Sequence, residues 1–193
     1  MVFPHKRSLG EWLLSDAVGE KIAVYSIAEP ASVVEGIDPS AFFEKVYNET
    51  LMGVLRHIVE QEGPILESVL ARRVARVHGW ERTGERIRDR VSRLAGKSFR
   101  KTKEAVGCFY WPESLPDDAS VVFRRPESIN CYRTADEICL SELAALAGVL
   151  TSSGCGQDEL VREMSSAIGL HRISTASRCR FEKAIAQSHS QVE

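Results

Sequence analysis

Basic side chains recur at helical spacing after residue 82, and cations in such a pattern can neutralise the phosphates of a nucleic acid. At 100° per residue, positions 86, 90, 93 and 97 fall on one stripe of a helix, and further cations follow directly. A helix that contacts a nucleic-acid backbone carries such a stripe. We therefore predict a nucleic-acid-binding site formed by Arg82, Arg86, Arg90, Arg93, Lys97, Arg100, Lys101 and Lys103.

The charge of the surrounding segment supports this prediction. Residues 72–103 hold 12 of the 25 basic residues and three of the 27 acidic residues, a local charge of +9, while the other 161 residues sum to −11. A basic module in an acidic chain is typical of a surface that contacts phosphates. The alternative is a solvated helix face with internal pairs such as Glu85 with Arg88. Three acids cannot neutralise 12 bases, which favours nucleic-acid contact.

The helix that carries these cations is the third of three that the sequence predicts. An Asp-Pro pair at residues 38–39 indicates the start of the first helix, which ends at the Gly-Pro pair at 63–64. The second helix is predicted over residues 65–77 and is closed by Gly79. Thr83 is predicted to begin the third helix, because its side chain can accept a hydrogen bond from a free N–H group of the first turn.

An apolar stripe lies beside the basic stripe of the third helix. Ile87, Val91 and Leu94 recur at i, i+4 and i+7, which puts them on one side of the helix. The spacing predicts that Ile87 and Val91 are buried while the arginines at positions 86, 90 and 93 are exposed. This is the geometry of a recognition helix.

Residues 99–111 alternate in the manner of a short β-ribbon. A ribbon directly after a recognition helix would form the wing of a winged helix. Residues 39–111 are therefore predicted to be one winged-helix-like unit, with a basic recognition helix and a basic wing.

The segments on either side of this unit are less regular. Residues 1–38 are predicted to be an N-terminal arm that contains a strand within 22–27. Residues 112–134 are rich in proline and acids and are predicted to be a linker, within which Val121–Phe123 could form a strand. Residues 135–193 contain three further predicted helices.

The last three predicted helices repeat the first three. At an offset of 90 residues, Gly79 falls on Gly169 and Arg90 falls on Arg180. Equal glycine stops predict two copies of one tri-helical unit with equivalent helix ends. The second copy has fewer bases and no basic ribbon after it, so it is predicted to be degenerate and to pack on the first copy or on a partner. The predicted fold class is mainly α with a small β-ribbon, as two tandem winged-helix-like units.

Short motifs are spaced through residues 40–187: Glu62-Gly63-Pro64-Ile65, Arg73-Val74-Ala75, Gly79, Arg82, Gly84-Glu85-Arg86-Ile87, Phe109-Tyr110-Trp111, Arg124-Arg125 and Glu142-Leu143. In these motifs the chain resembles a bacterial domain of unknown function found near the C-terminus of superfamily-1 helicase-like proteins, where a restriction-endonuclease-like domain is often a neighbour. The resemblance implies an accessory, DNA-associated module. The chain itself carries no helicase motor, which leaves open whether it acts alone, as a fragment, or beside a separately encoded partner such as a helicase or a nuclease.

The sequence lacks the patterns of common catalytic and metal sites. No lysine follows a phosphate-binding glycine loop, none lies in the Glu-x-Lys pattern of restriction nucleases, and the five histidines lack zinc-ligand spacing. Five cysteines without a CxxC pair indicate reduced thiols. We therefore predict no catalytic residue, no metal and no cofactor, and hence a protein that is not an enzyme.

The expected function is a non-enzymatic DNA-binding or DNA-processing accessory module that contacts mainly the phosphates of duplex DNA, with low specificity. No apolar run approaches the roughly 18 residues that span a bilayer, and no apolar signal core begins the sequence, so we expect a cytoplasmic protein without membrane contact. The alternative is a protein-interaction or dimerisation module that docks on a helicase, on a nuclease or on its own copy. Salt dependence of binding separates the two hypotheses.

Overall fold

The computed structural model describes residues 22–117 and 119–190, in which helices predominate. The prediction of a mainly helical protein with a small sheet is confirmed. No helix in these two ranges is long and apolar enough to cross a membrane. The elements in chain order are β1 (Ile22–Tyr25), α1 (Asn48–Glu62), β2 (Ile65–Leu66), α2 (Glu67–Val77), α3 (Glu85–Ser98), β3 (Lys101–Glu104), β4 (Gly107–Tyr110), β5 (Phe123–Pro126), α4 (Leu140–Ser152), α5 (Gln157–Ala167) and α6 (Thr175–Ser190).

The chain divides into two compact units. The first unit is Ser26–Ala119, and the second consists of residues 22–25 and 120–190. Residues 1–21 of the predicted N-terminal arm lie outside the described residues. The remainder of that arm is shared between the units, since its predicted strand is β1 of the second unit and residues 26–38 belong to the first.

The first unit contains an antiparallel sheet of three strands in the order β2, β4, β3. The predicted ribbon is confirmed as the hairpin of β3 and β4. Ile65 and Leu66, predicted to open the second helix, instead pair with Tyr110 and Phe109 of β4. The backbone groups of these two residues are therefore paired across the sheet and not within a helix, and α2 begins only at Glu67.

The start of the first helix was predicted wrongly. The helix α1 begins at Asn48, and residues 39–47 form turns instead. Asp38 accepts hydrogen bonds from the backbone N–H and the hydroxyl of Ser40, at 2.8 and 2.7 Å, a local turn that competes with a helix. The turn segment brings Phe42 and Tyr47 into the core, where both are almost fully buried.

Gly79 ends α2 as predicted. It has a φ of +75°, which a residue without a Cβ adopts at little cost. The Trp80 N–H then reaches back to the carbonyl of Ala75 at 2.9 Å. The predicted cap of the following helix is wrong. The helix α3 begins at Glu85, and the N–H groups of Ile87 and Arg88 bond to the carbonyl of Gly84, with no hydrogen bond from the first turn to the side chain of Thr83.

The second unit pairs β1 with β5 in parallel, with Ile22 opposite Phe123. The predicted linker therefore contributes a strand to this unit. Three helices, α4, α5 and α6, surround a core that includes the fully buried side chains of Phe123, Leu146 and Phe181. These helices confirm the three that periodicity predicts in this half of the chain.

The predicted equivalence of the two helix ends at Gly79 and Gly169 is confirmed. Gly169 also has a φ of +75°, and the Leu170 N–H bonds to the carbonyl of Ser165 at 2.9 Å, which is the bond of Trp80 to Ala75 displaced by 90 residues. Helix packing differs between the two units, since the first helix of the second unit, α4, packs mainly on the third, α6, whereas the first helix of the first unit, α1, packs mainly on the second, α2. The repeat is therefore clearest in the turn and the helix end.

Candidate nucleic-acid interface

The two sides of α3 separate much as its periodicity predicts. Val91 is fully buried, as predicted, and Ala95 lies beside it in the core. Ile87 is only half-buried, so its predicted burial is partly wrong. Arg86 and Arg93 are exposed, as predicted. The buried side is centred on Val91 and Ala95 because the small alanine allows close packing there.

Arg90 is buried, and the prediction that it lies exposed on the basic stripe is wrong. Its Nη2 donates to the carbonyl of Glu44 at 2.8 Å and to Oδ1 of Asn48 at 2.7 Å. The guanidinium also lies 5.7 Å from the ring centroid of Phe42. The turn segment of residues 39–47, which was predicted to be helical, covers this side of α3. Arg90 is therefore unable to contact phosphates without unpacking that segment.

Arg180 has the same role in the second unit. Its Nε donates to the carbonyl of Ala135 at 2.7 Å and its Nη2 to the carbonyl of Ile138 at 2.5 Å. Arg180 follows Arg90 by 90 residues, and Ala135 follows Glu44 by 91. The repeated arginine thus anchors the third helix of each unit to the segment before the first helix. The sequence already indicates this structural role, because the second unit has fewer basic residues than the first and still has an arginine at this position.

Arg100 is also engaged within the first unit. Its Nε forms an ion pair with Asp117 at 2.6 Å, and its Nη2 donates to the carbonyl of Leu115 at 3.1 Å. The guanidinium lies 4.4 Å from the ring centroid of Trp111. Asp117 is 84% exposed, so the ion pair is weak by itself. The contacts together hold Arg100 against the segment that follows the hairpin.

The remaining predicted cations are exposed. Lys101 and Lys103 are alternate residues of β3 and point to the same side of the strand. The Lys101 Nζ lies against α3, because a Cβ added to Gly96 would be only 3.6 Å from it. We call the following residues the basic face: Arg86, Arg93, Lys97, Lys101 and Lys103. Arg82 is exposed in the turn before α3.

The basic face has no acidic partner within residues 22–117 and 119–190, where none of its five cations forms an ion pair. Arg86, Arg93 and Lys97 lie within about 40° of one another around α3, at 100° per residue. Lys101 reaches the same helix from the hairpin. The structure therefore brings together five of the eight cations that the sequence singled out. Arg90 and Arg100 are engaged in contacts within the unit, and Arg82 lies in the turn before α3.

Tyr110 holds the hairpin against α3. It is 2% exposed, and its hydroxyl donates to the carbonyl of Ser92 at 3.4 Å. The Ser92 hydroxyl in turn donates to the carboxylate of Glu67 at the start of α2. These contacts join three elements under the basic face, so the spacing between helix and hairpin cations is set by the core.

The ionisation of Tyr110 provides a test of this packing. Burial, with a smaller effect from the charge of Glu67, raises the pKa of Tyr110 to about 12. Because the pKa is raised in the folded state, the stability that neutral Tyr110 contributes is complete below about pH 10 and is lost as the pH rises through about 12. Burial also raises the pKa of Tyr47, so we expect absorbance titration to show more than one late tyrosine, and Tyr110→Phe to remove the ionisation near pH 12. An unchanged titration in Tyr110→Phe would contradict the assignment.

Residues 40–89 match the model of a family described as a protein of unknown function, DUF3320. The match covers the turn segment, α1, β2, α2 and the start of α3, and it supports the prediction of an uncharacterised domain. No curated protein and no solved structure matches the chain. The association with a helicase stays a prediction.

Proposed function

We propose that the first unit is a winged-helix-like module that binds DNA through its phosphate backbone. Its elements follow in the order helix, strand, helix, helix and hairpin, and the first strand pairs with the last strand of the hairpin. In such a module α3 lies in a groove of the duplex and the hairpin of β3 and β4 contacts the flanking backbone. The basic face spans both elements.

The proposal rests on one observation: the five cations of the basic face form no ion pair with an acid among the residues that the structure describes. Several of the 12 basic residues between positions 72 and 103 are engaged within the first unit, among them Arg73, Arg90 and Arg100. The five cations of the basic face stay exposed, and repulsion among them is relieved when phosphates bind and counterions are released. The helix α3 contains neither Asn nor Gln to read adenine edges, which favours low sequence specificity.

Duplex binding should fall steeply with salt. If four to five cations of the basic face each neutralise about one phosphate, the log-log salt slope is about −4, and Kd at physiological salt is about 10⁻⁴ to 10⁻⁶ M. The charge reversal Arg93→Glu with Lys97→Glu should abolish binding, because both side chains are exposed and no contact of the fold is lost. Fluorescence anisotropy with a labelled duplex at several salt concentrations measures both effects. Arg90 is left unchanged in this variant because it is buried.

The repeat offers a matched control. Arg172 and Arg178 are exposed in the second unit, at the positions equivalent to Arg82 and Arg88, and their reversal to Glu changes the net charge equally. This control should retain most of the duplex affinity. Absence of any binding by the wild-type protein at low salt would contradict the proposal. The alternative would then hold, in which the basic face docks on a protein such as a helicase, a nuclease or a second copy of the chain.

A further inference from the structure

An aromatic cluster lies where α3 begins, next to the basic face. Phe42 is fully buried at its centre. Its ring meets Trp80 and His78 edge-on, with centroids 4.9 Å away in both cases. His78 and Trp80 in turn stack with an interplanar angle of 16°. The turn segment of residues 39–47 is thus fixed on the turn that follows α2 by ring packing.

Hydrogen bonds of His78 and Tyr47 also hold this aromatic cluster in place. The ring of His78 bonds through Nδ1 to the carbonyl of Val74 at 2.7 Å and through Nε2 to the hydroxyl of Tyr47 at 2.8 Å. The Tyr47 hydroxyl also accepts the N–H of Asp38 at 3.1 Å. Donation by Nδ1 to the carbonyl leaves Nε2 to accept from Tyr47, which requires a neutral imidazole. Burial lowers the pKa of His78 and so favours this form.

Phe43 projects from this rigid base towards the basic face. Its ring stands edge-on to Phe42, with centroids 5.0 Å apart and an interplanar angle of 85°. The guanidinium of Arg86 lies 4.4 Å from the Phe43 centroid, yet Phe43 keeps 44% of its surface exposed. A large aromatic side chain held in place and left exposed beside cations has the two properties of a platform on which a nucleobase stacks.

We propose that Phe43 and Arg86 together take an unpaired base, so that the first unit prefers DNA in which a single strand adjoins a duplex. This inference rests on the proposed function, because the other cations of the basic face hold the neighbouring phosphates. A paired base cannot leave its stack without a cost of a few kcal/mol, whereas an unpaired base can stack on the ring at once. The exposed phenylalanine could also bury itself against a protein, but the cation of Arg86 beside it, which has no acidic partner in the described part of the chain, favours a polyanion.

The test compares a blunt duplex with the same duplex carrying a short single-stranded overhang, both measured by fluorescence anisotropy at low salt. Stacking of one base should make the overhang DNA bind about 5-fold to 100-fold more tightly. Phe43→Leu keeps an apolar side chain but removes the ring, so it should lose this preference and retain the affinity for the blunt duplex. Phe43→Trp should retain the preference.

Val46 supplies the matched control, because it is 80% exposed in the same turn segment but has no ring to stack. Val46→Ala should bind both DNAs as the wild-type protein does. A fluorescent base analogue at the first unpaired position reports stacking directly, and its quenching on binding should disappear in Phe43→Leu.

The two proposals fail in different ways. Equal affinity of the wild-type protein for the two DNAs, or a preference that survives in Phe43→Leu, overturns the stacking inference and leaves the proposed function in place. No binding to either DNA overturns both. Loss of blunt-duplex affinity in Phe43→Leu would also overturn the inference, because it would make the ring part of the general interface.

Discussion

Glu142→Gln should lower the free energy of unfolding of the second unit by about 3 to 5 kcal/mol, the largest effect expected of any single change of charge in that unit. The side chain of Glu142 is fully buried between two arginines. Its Oε2 lies 2.8 Å from Nη2 of Arg124, and its Oε1 lies 2.7 Å from Nη2 of Arg133. A neutral amide would leave two cations in the core without a counterion. Chemical denaturation followed by circular dichroism measures the loss.

The second unit also contains a matched surface pair. Glu159 and Arg162 are 3.4 Å apart, and the Glu159 side chain is 38% exposed. Glu159→Gln should therefore change the stability by no more than about 0.5 kcal/mol, since water screens the pair and solvates the partner left behind. Equal losses in the two Gln variants would show that burial of Glu142 does not set the cost.

The pH dependence of stability should also reflect the ion pairs of Glu142. Burial by itself would raise the pKa of Glu142, but the charges of Arg124 and Arg133 outweigh it and lower the pKa to about 2. Because the pKa is lowered in the folded state, this contribution to stability is complete above the ordinary value of 4.5 and is lost as the pH falls through about 2. Glu142→Gln should flatten this part of the acid denaturation curve.

Local patterns in the sequence predicted the elements that depend on local physics. Gly79 and Gly169 end helices because each adopts a positive φ, which a sequence signals through the glycine itself. Val91 is buried because helical periodicity determines which side of α3 faces the core. The hairpin of β3 and β4 likewise follows from an alternation of side chains that a ribbon requires.

Contacts between distant residues account for what could not be predicted. The turn segment of residues 39–47 has the apolar spacing of a helix, but Phe42 is buried against Trp80 and His78, which lie in a turn far along the chain. Arg90 bonds to Glu44 and Asn48, which are 46 and 42 residues away. Periodicity within one helix contains no information on such partners, so it assigned Arg90 to solvent.

The motifs behind the family resemblance proved to contain several buried or half-buried ion pairs. Arg73 pairs with Glu62 at 2.9 Å, and Arg124 pairs with Glu142. The carboxylate of Glu62 also accepts the N–H of Ala28 at 3.1 Å. These charges stabilise the fold, and a charge count alone would have placed them on the surface. The candidate site therefore contains fewer cations than the sequence predicts. It consists of those that remain exposed after others, such as Arg90, have formed contacts within the fold.

Arg90 and Arg93 should respond to the same substitution in opposite ways. Arg90→Met keeps an unbranched apolar stem but leaves the carbonyl of Glu44 and Oδ1 of Asn48 without their donor, which should lower the free energy of unfolding by about 2 to 3 kcal/mol. The DNA affinity of the folded protein should stay close to that of the wild type. Arg93→Met should leave stability within about 0.5 kcal/mol, because Arg93 is exposed, and should reduce the magnitude of the salt slope by about 1.

Urea denaturation and salt-dependent anisotropy on the two variants measure both effects. Arg180→Met extends the comparison to the second unit, where it removes the donor to the carbonyls of Ala135 and Ile138 and should cost a similar amount of stability. A stable Arg90→Met variant with weakened DNA binding would reverse the two roles. It would mean that Arg90 leaves its carbonyl partners to reach phosphates, and that the turn segment of residues 39–47 opens when DNA binds.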